Sequence, residues 1–231
     1  MRFSTLLRKE LRECLPWMLL AAIVFLGFGG FFIRIQAYGS RLFWHGVALS
    51  PGSVAQYYRL IHHPQLQLTG TWLFISSLGL GLVLGVRHFW IPHFTKTWPF
   101  LLHRSASRNT VLAGKLAAAG TAFVMSLGLV WIALYWYANQ PQISMMPQSF
   151  RFFIEGWIFV ALGFVAYLGT AMSALSTARW YSTRVFGLAF AVIVIVVTFA
   201  QWRLASAFAI IIIGTLILLS QIFDAFSNRE F

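Results

Sequence analysis

Between Arg184 and Asp224 the chain carries a single charged residue, Arg203, in the middle of about forty apolar positions. A soluble domain has no place for such a stretch, because an apolar run of ~18 residues or more is the length that crosses a bilayer as a helix. Similar runs recur upstream, and they predict helices near 16–36, 68–86, 110–137, 153–176, 184–201 and 204–223. Only 10% of the 231 residues are charged, against about a quarter in ordinary soluble domains. The expected fold class is an all-α polytopic membrane protein of six transmembrane helices. One unit covers 1–231, with an amphipathic segment over 1–15, the membrane helices over 16–223 and a tail over 224–231.

The formal net charge of +12 does not point to nucleic acid, since no block of five or six basic residues is present. The charges instead sit at the ends of the apolar runs. Arg2, Arg8, Lys9, Arg12, Arg87, Lys96, Arg104, Arg108, Lys115, Arg179, Arg184 and Arg229 fall on one side of a six-span topology. Arg34, Arg41, Arg59, Arg151 and Arg203 fall on the other. The positive-inside bias places the richer side, with both termini and the 87–110 loop, in the cytoplasm.

At the N-terminus, Phe3, Leu6, Leu7, Leu11, Cys14 and Leu15 share one helical face, and Arg8, Lys9, Arg12 and Glu13 the other. This predicts a basic amphipathic helix lying in the headgroup plane. Glu10 breaks the pattern by falling in the apolar arc. Glu10 and Glu13 also interrupt the basic region, which argues for an uncleaved first helix rather than a signal peptide. Pro51–Gly52–Ser53 suggests a second interfacial helix on the opposite side, ending at His63–Pro64.

Ser77, Gly81 and Gly85 recur every four residues, a small-residue stripe that lets helix backbones approach closely in lipid. It suits either packing within the chain or a contact between subunits. Ala113, Ala117 and Thr121 form a second stripe.

Catalytic chemistry finds little support. Glu155 lies within a predicted span, with Arg151 one turn away as an ion-pair partner. His62 and His63 are adjacent and diverge on a helix, and Pro92 separates His88 from His93, so neither pair has metal-ligand spacing. Gly114–Lys115 lacks the upstream glycine of a phosphate-cradling loop. The expectation is no catalytic residue, no metal site and no cofactor bound by this chain.

The stretch 97–108, TWPFLLHRSASR, joins two spans on the basic side. Phe100, Leu101 and Leu102 offer apolar contacts, and Arg104 and Arg108 can grip a carboxylate through two N–H groups. Taken alone it fits two roles: a juxtamembrane loop on headgroups, with Trp98 marking the interface, or a plug for a protein below the membrane.

KTWPFLLHRSASRNTVLAGKLAAA resembles the cytoplasmic loop of type 2 permease subunits of ATP-binding-cassette transporters. Thr97, Leu101, Leu102, Ser107, Arg108, Gly114, Lys115 and Leu116 match that pattern. The N-terminal LLRKELRE resembles the family's connecting helix, with Lys9 and Glu10 in the corresponding place, and ARWYSTR resembles its second cytoplasmic turn. An acidic residue common before the threonine is replaced here by the neighbourhood of His88, His93 and Lys96. The resemblance implies a coupling helix over 93–108, with Thr97, Trp98, Phe100, Leu101, Leu102, Arg104 and Arg108 meeting a separate ATPase subunit that holds ATP-Mg. It also implies a second permease copy or homologue, an export direction and a bacterial inner membrane. The competing expectations are a non-transporting membrane anchor for a cytoplasmic partner and, more remotely, a membrane enzyme using Glu155 or the histidines.

Overall fold

The computed structural model describes residues 3–46, 66–95, 107–141, 143, 148–176, 185–201 and 203–227, with side chains of the first helix described through Ile35. All regular structure among them is helical. Helix α1 is Phe3–Gly46. Helix α2 runs Leu66–Gly85, passes through a π-helical turn at Val86–Trp90 and ends with Ile91–Phe94. Helix α3 runs Arg108–Phe123, has a second π turn at Val124–Gly128 and continues over Leu129–Ala138. Helices α4, α5 and α6 are Phe150–Leu175, Phe186–Ala200 and Leu204–Ser227. Five of these are long and apolar enough to cross a membrane, and α5, at 15 residues, is shorter. The end of the bundle near Phe3, Arg108 and Ser227 is termed basal, the other distal.

The expected boundary between a surface helix and the first span near residue 15 differs from the structure: α1 is continuous through Pro16. Proline removes one backbone hydrogen bond and usually breaks or kinks a helix. Here Leu6, Glu10 and Cys14, one turn apart, are all buried against the bundle before Pro16, and Phe25 and Ile33 are buried after it. Anchoring on both sides keeps the helix axis running. The buried face is thus narrower than the apolar arc read from the sequence, with Phe3 and Leu15 exposed.

Helix α4 is the hub. It packs against α2, α5 and α6, and 78% of its most apolar window is buried, against 17% for α1. The α2–α4 seam uses the small-residue stripe. A Cβ on Gly81 would land on the carbonyl of Gly163, one on Gly85 would meet Thr170, and one on Gly163 would meet the Ser77 backbone. Ser77 itself donates to the Val160 carbonyl at 3.3 Å. Where the sequence left packing within the chain and a subunit contact both open, the stripe closes on α4 of the same chain. Gly169 and Gly187 let α4 and α5 approach in the same way. This is the packing that replaces hydrophobic association inside lipid.

The seam tests directly. Gly81→Ala must push two backbones apart, and overpacking of this kind costs about 1–3 kcal/mol. Its thermal midpoint in detergent should fall by several degrees. Gly79→Ala, whose Cβ would meet nothing within 4 Å, should leave the midpoint unchanged or slightly raised. Equal behaviour of the two variants would contradict the seam.

Candidate functional site: a buried polar cluster at the basal end

Five polar side chains from four helices meet at the basal end, and all are buried: Glu10 and Cys14 of α1, His88 of α2, Lys115 of α3 and Tyr167 of α4. The Lys115 ammonium donates to both carboxylate oxygens of Glu10, each at 3.1 Å. The same carboxylate lies 3.8 Å from His88 Nε2, which is 3.2 Å from Cys14 Sγ. His88 Nδ1 is 3.0 Å from the Tyr167 hydroxyl. That hydroxyl also lies 3.4 Å from the Lys115 carbonyl, to which it donates. The cluster is a closed chain of polar contacts.

Local sequence explains each position. Glu10 sits one turn from Leu6 and one from Cys14, so the helical period carries it inward with them. Lys115 reaches the cluster because Gly114 precedes it; a Cβ there would strike Leu6, so α1 rests directly on the α3 backbone. His88 depends on the π turn. Pro92 has no N–H and its ring crowds the carbonyl four residues earlier, so the regular ladder cannot close there. The Ile91 N–H instead bonds to the Val86 carbonyl, five residues back. This widened turn directs His88 and Phe89 inward, while Trp90 Nε1 donates to the Thr170 carbonyl at 3.3 Å. Such turns often lie at functional positions.

A second, more exposed layer surrounds the core. Glu13 lies 3.8 Å from both Lys9 and Arg87. Arg87 Nε is buried without a hydrogen-bond partner, as is Trp17 Nε1. Lys9 is therefore a surface partner of Glu13, and Glu10, which shares a motif with it, is interior.

The other expected site residues are placed as follows. Thr97, Trp98, Phe100, Leu101, Leu102 and Arg104 lie outside the described residues, as do His62, His63 and the 51–63 segment. Arg108 opens α3 after the Ser107 cap and donates to the Ser227 carbonyl of α6 at 3.2 Å. Ser77, Gly81 and Gly85 form the α2–α4 seam. At the distal end Arg151 Nε donates to Glu155 at 2.8 Å, the ion pair that their spacing predicts.

Sequence reasoning passed over Cys14, His88, Lys115 and Tyr167. In the sequence Lys115 stands among the charges near the span ends and in the permease-like pattern, and His88 stands beside His93 and Lys96. The available signal was a lysine seven residues inside an apolar helix, facing a glutamate out of place on another, since ionisable groups within spans usually pair with one another. Among the described residues no group of three His, Cys, Asp or Glu side chains is arranged to hold a metal ion. No protein-family model, curated protein or solved structure matches the chain.

Breaking a buried ion pair from one side leaves a charge without compensation and costs about 3–5 kcal/mol. Glu10→Gln and Lys115→Met should each lower the unfolding midpoint by that scale. The double variant should recover most of the loss, because an uncharged pair carries no desolvation penalty. Losses that simply add in a double-mutant cycle would show that the two side chains do not interact.

Proposed function

We propose that the chain is the permease subunit of an ATP-driven exporter of the ATP-binding-cassette type. In this reading α1 to α6 are six spans of a bacterial inner-membrane protein with cytoplasmic termini. The segment 93–108 is the coupling element seated on a separate ATPase subunit, and a second permease copy completes the path. The reading starts from the resemblance of 96–119 and of the N-terminus to that family.

One structural observation carries it further. The two helices that flank 96–106 are each joined to α1 by an ion pair: Arg87 of α2 to Glu13, and Lys115 of α3 to Glu10. Arg108 adds a tie from the start of α3 to the end of α6. A push on the intervening segment would therefore load α1, α2, α3 and α6 together. This is what a subunit without its own energy source requires from its contact with a motor. The buried cluster acts as the joint that makes the basal ends move as one body.

The test is co-expression with an ATP-binding-cassette ATPase, the first choice being one encoded in a neighbouring gene. A cysteine at Leu101 or Arg104 should crosslink to that ATPase, and Arg104→Glu should abolish co-purification. The Glu10→Gln/Lys115→Met pair should preserve the complex but reduce permease-stimulated ATP hydrolysis at least several-fold, because the joint is loosened while the contact surface is intact. No co-purification under crosslinking would end the transporter reading. Crosslinking without cargo accumulation in the Arg104→Glu cells would favour the membrane anchor.

A further inference from the structure

At the distal end, α4, α5 and α6 enclose a crevice of about 200 Å³. Its walls are apolar, with Ile158, Phe159 and Leu162 from α4, Phe199 from α5 and Ala207 from α6. Its rim is charged: Arg151 and Glu155 on α4 and Arg203 in the turn between α5 and α6. Arg151 holds Glu155 at 2.8 Å, so that pair is internally neutral, and Arg203 leaves the rim with a net positive charge. Gln201 and Arg203 are both exposed.

The depth of the crevice follows from helix length. The 15 residues of α5 give roughly 22 Å at 1.5 Å each, several ångströms short of the ~30 Å hydrocarbon core. The α5–α6 turn lines the crevice together with Arg151, Glu155 and Ile158 from the first turns of α4. A short apolar helix is accommodated by local thinning and by flanking residues that snorkel, and Arg203 is placed to do so.

We propose that this crevice is a phospholipid site, with the lipid phosphate on Arg203 and the upper part of one acyl chain between α4, α5 and α6. Three features select this occupant. The net positive rim suits a phosphate, for which arginine is the preferred fork-shaped donor. The apolar walls suit a chain and give a free anion nothing. The volume is below the ~300–1,000 Å³ of pockets for drug-sized ligands, so it takes one chain segment and not a bulky cargo. The inference stands apart from the proposed transport role and from the orientation of the bundle, because phospholipid meets both ends.

The experiment uses the full chain in detergent micelles doped with palmitoyl-oleoyl phosphatidylglycerol, with bound lipid counted by native mass spectrometry. Wild type and Arg203→Lys should retain one lipid after dilution. Arg203→Gln should bind about tenfold more weakly or worse, the scale of one charge-assisted hydrogen bond. Leu204→Trp, which fills the crevice from its edge, should lose the lipid with Arg203 intact. Arg34→Gln, an exposed arginine of α1 outside the crevice, should behave as wild type. Retention by both Arg203→Gln and Leu204→Trp overturns the site, and equal loss in Arg34→Gln reduces it to general charge attraction. Displacement of the lipid by millimolar inorganic phosphate would make it an anion site and overturn the lipid assignment.

Discussion

Placing a carboxylate and an ammonium together inside an apolar bundle is costly unless each is held by the other. The penalty is several kcal/mol per ion after relaxation. Glu10 and Lys115 meet that condition with two equal contacts of 3.1 Å, and His88 lies close to the free side of the carboxylate. A pair of this kind adds little net stability relative to apolar residues of the same size. What it specifies is register, because a shift of one residue along α1 would leave both charges uncompensated. The relative position of α1 and α3 is therefore set more sharply than packing alone would set it. His88 and Tyr167 extend that constraint to α2 and α4.

The rest of the bundle is held differently. Along α2, α4 and α5 the contacts are between backbones at Ser77, Gly81, Gly163, Gly169 and Gly187, where close approach supplies dispersion and little else. Aromatic rings fill the remaining distal space, with Phe74, Phe159 and Phe199 in mutual contact. The two systems are separated along the bundle axis. The buried polar cluster lies at the basal end, and the Phe74–Phe159–Phe199 contacts lie distally. The π turn at Val86–Trp90 is where α2 passes from one to the other.

Much of this was legible in the residues. Apolar run length marks the helices, the four-residue recurrence of Ser77, Gly81 and Gly85 marks a close seam, and the spacing of Arg151 and Glu155 marks an ion pair. These are local signals, in which one segment's own periodicity carries the information. The cluster was not legible, because it is made by pairing across distance. Glu10 is 105 residues from Lys115, and each looks like a defect or a loop charge until the other is beside it. His88 needs in addition the helix distortion caused by Pro92, which changes which residue faces inward. At Pro16 the opposite holds, since a local helix breaker is overridden by burial on both sides.

These contrasts bear on α1. It is the longest described helix and the least buried of the five long ones, with Leu19, Leu20, Ile23 and Leu26 exposed along its length. Its inner attachments are unequal: Phe25 and Ile33 make apolar contacts, whereas Glu10 is held by two polar contacts from Lys115. The polar cluster is therefore the most specific attachment of α1, and the leucine face of the same helix stays exposed.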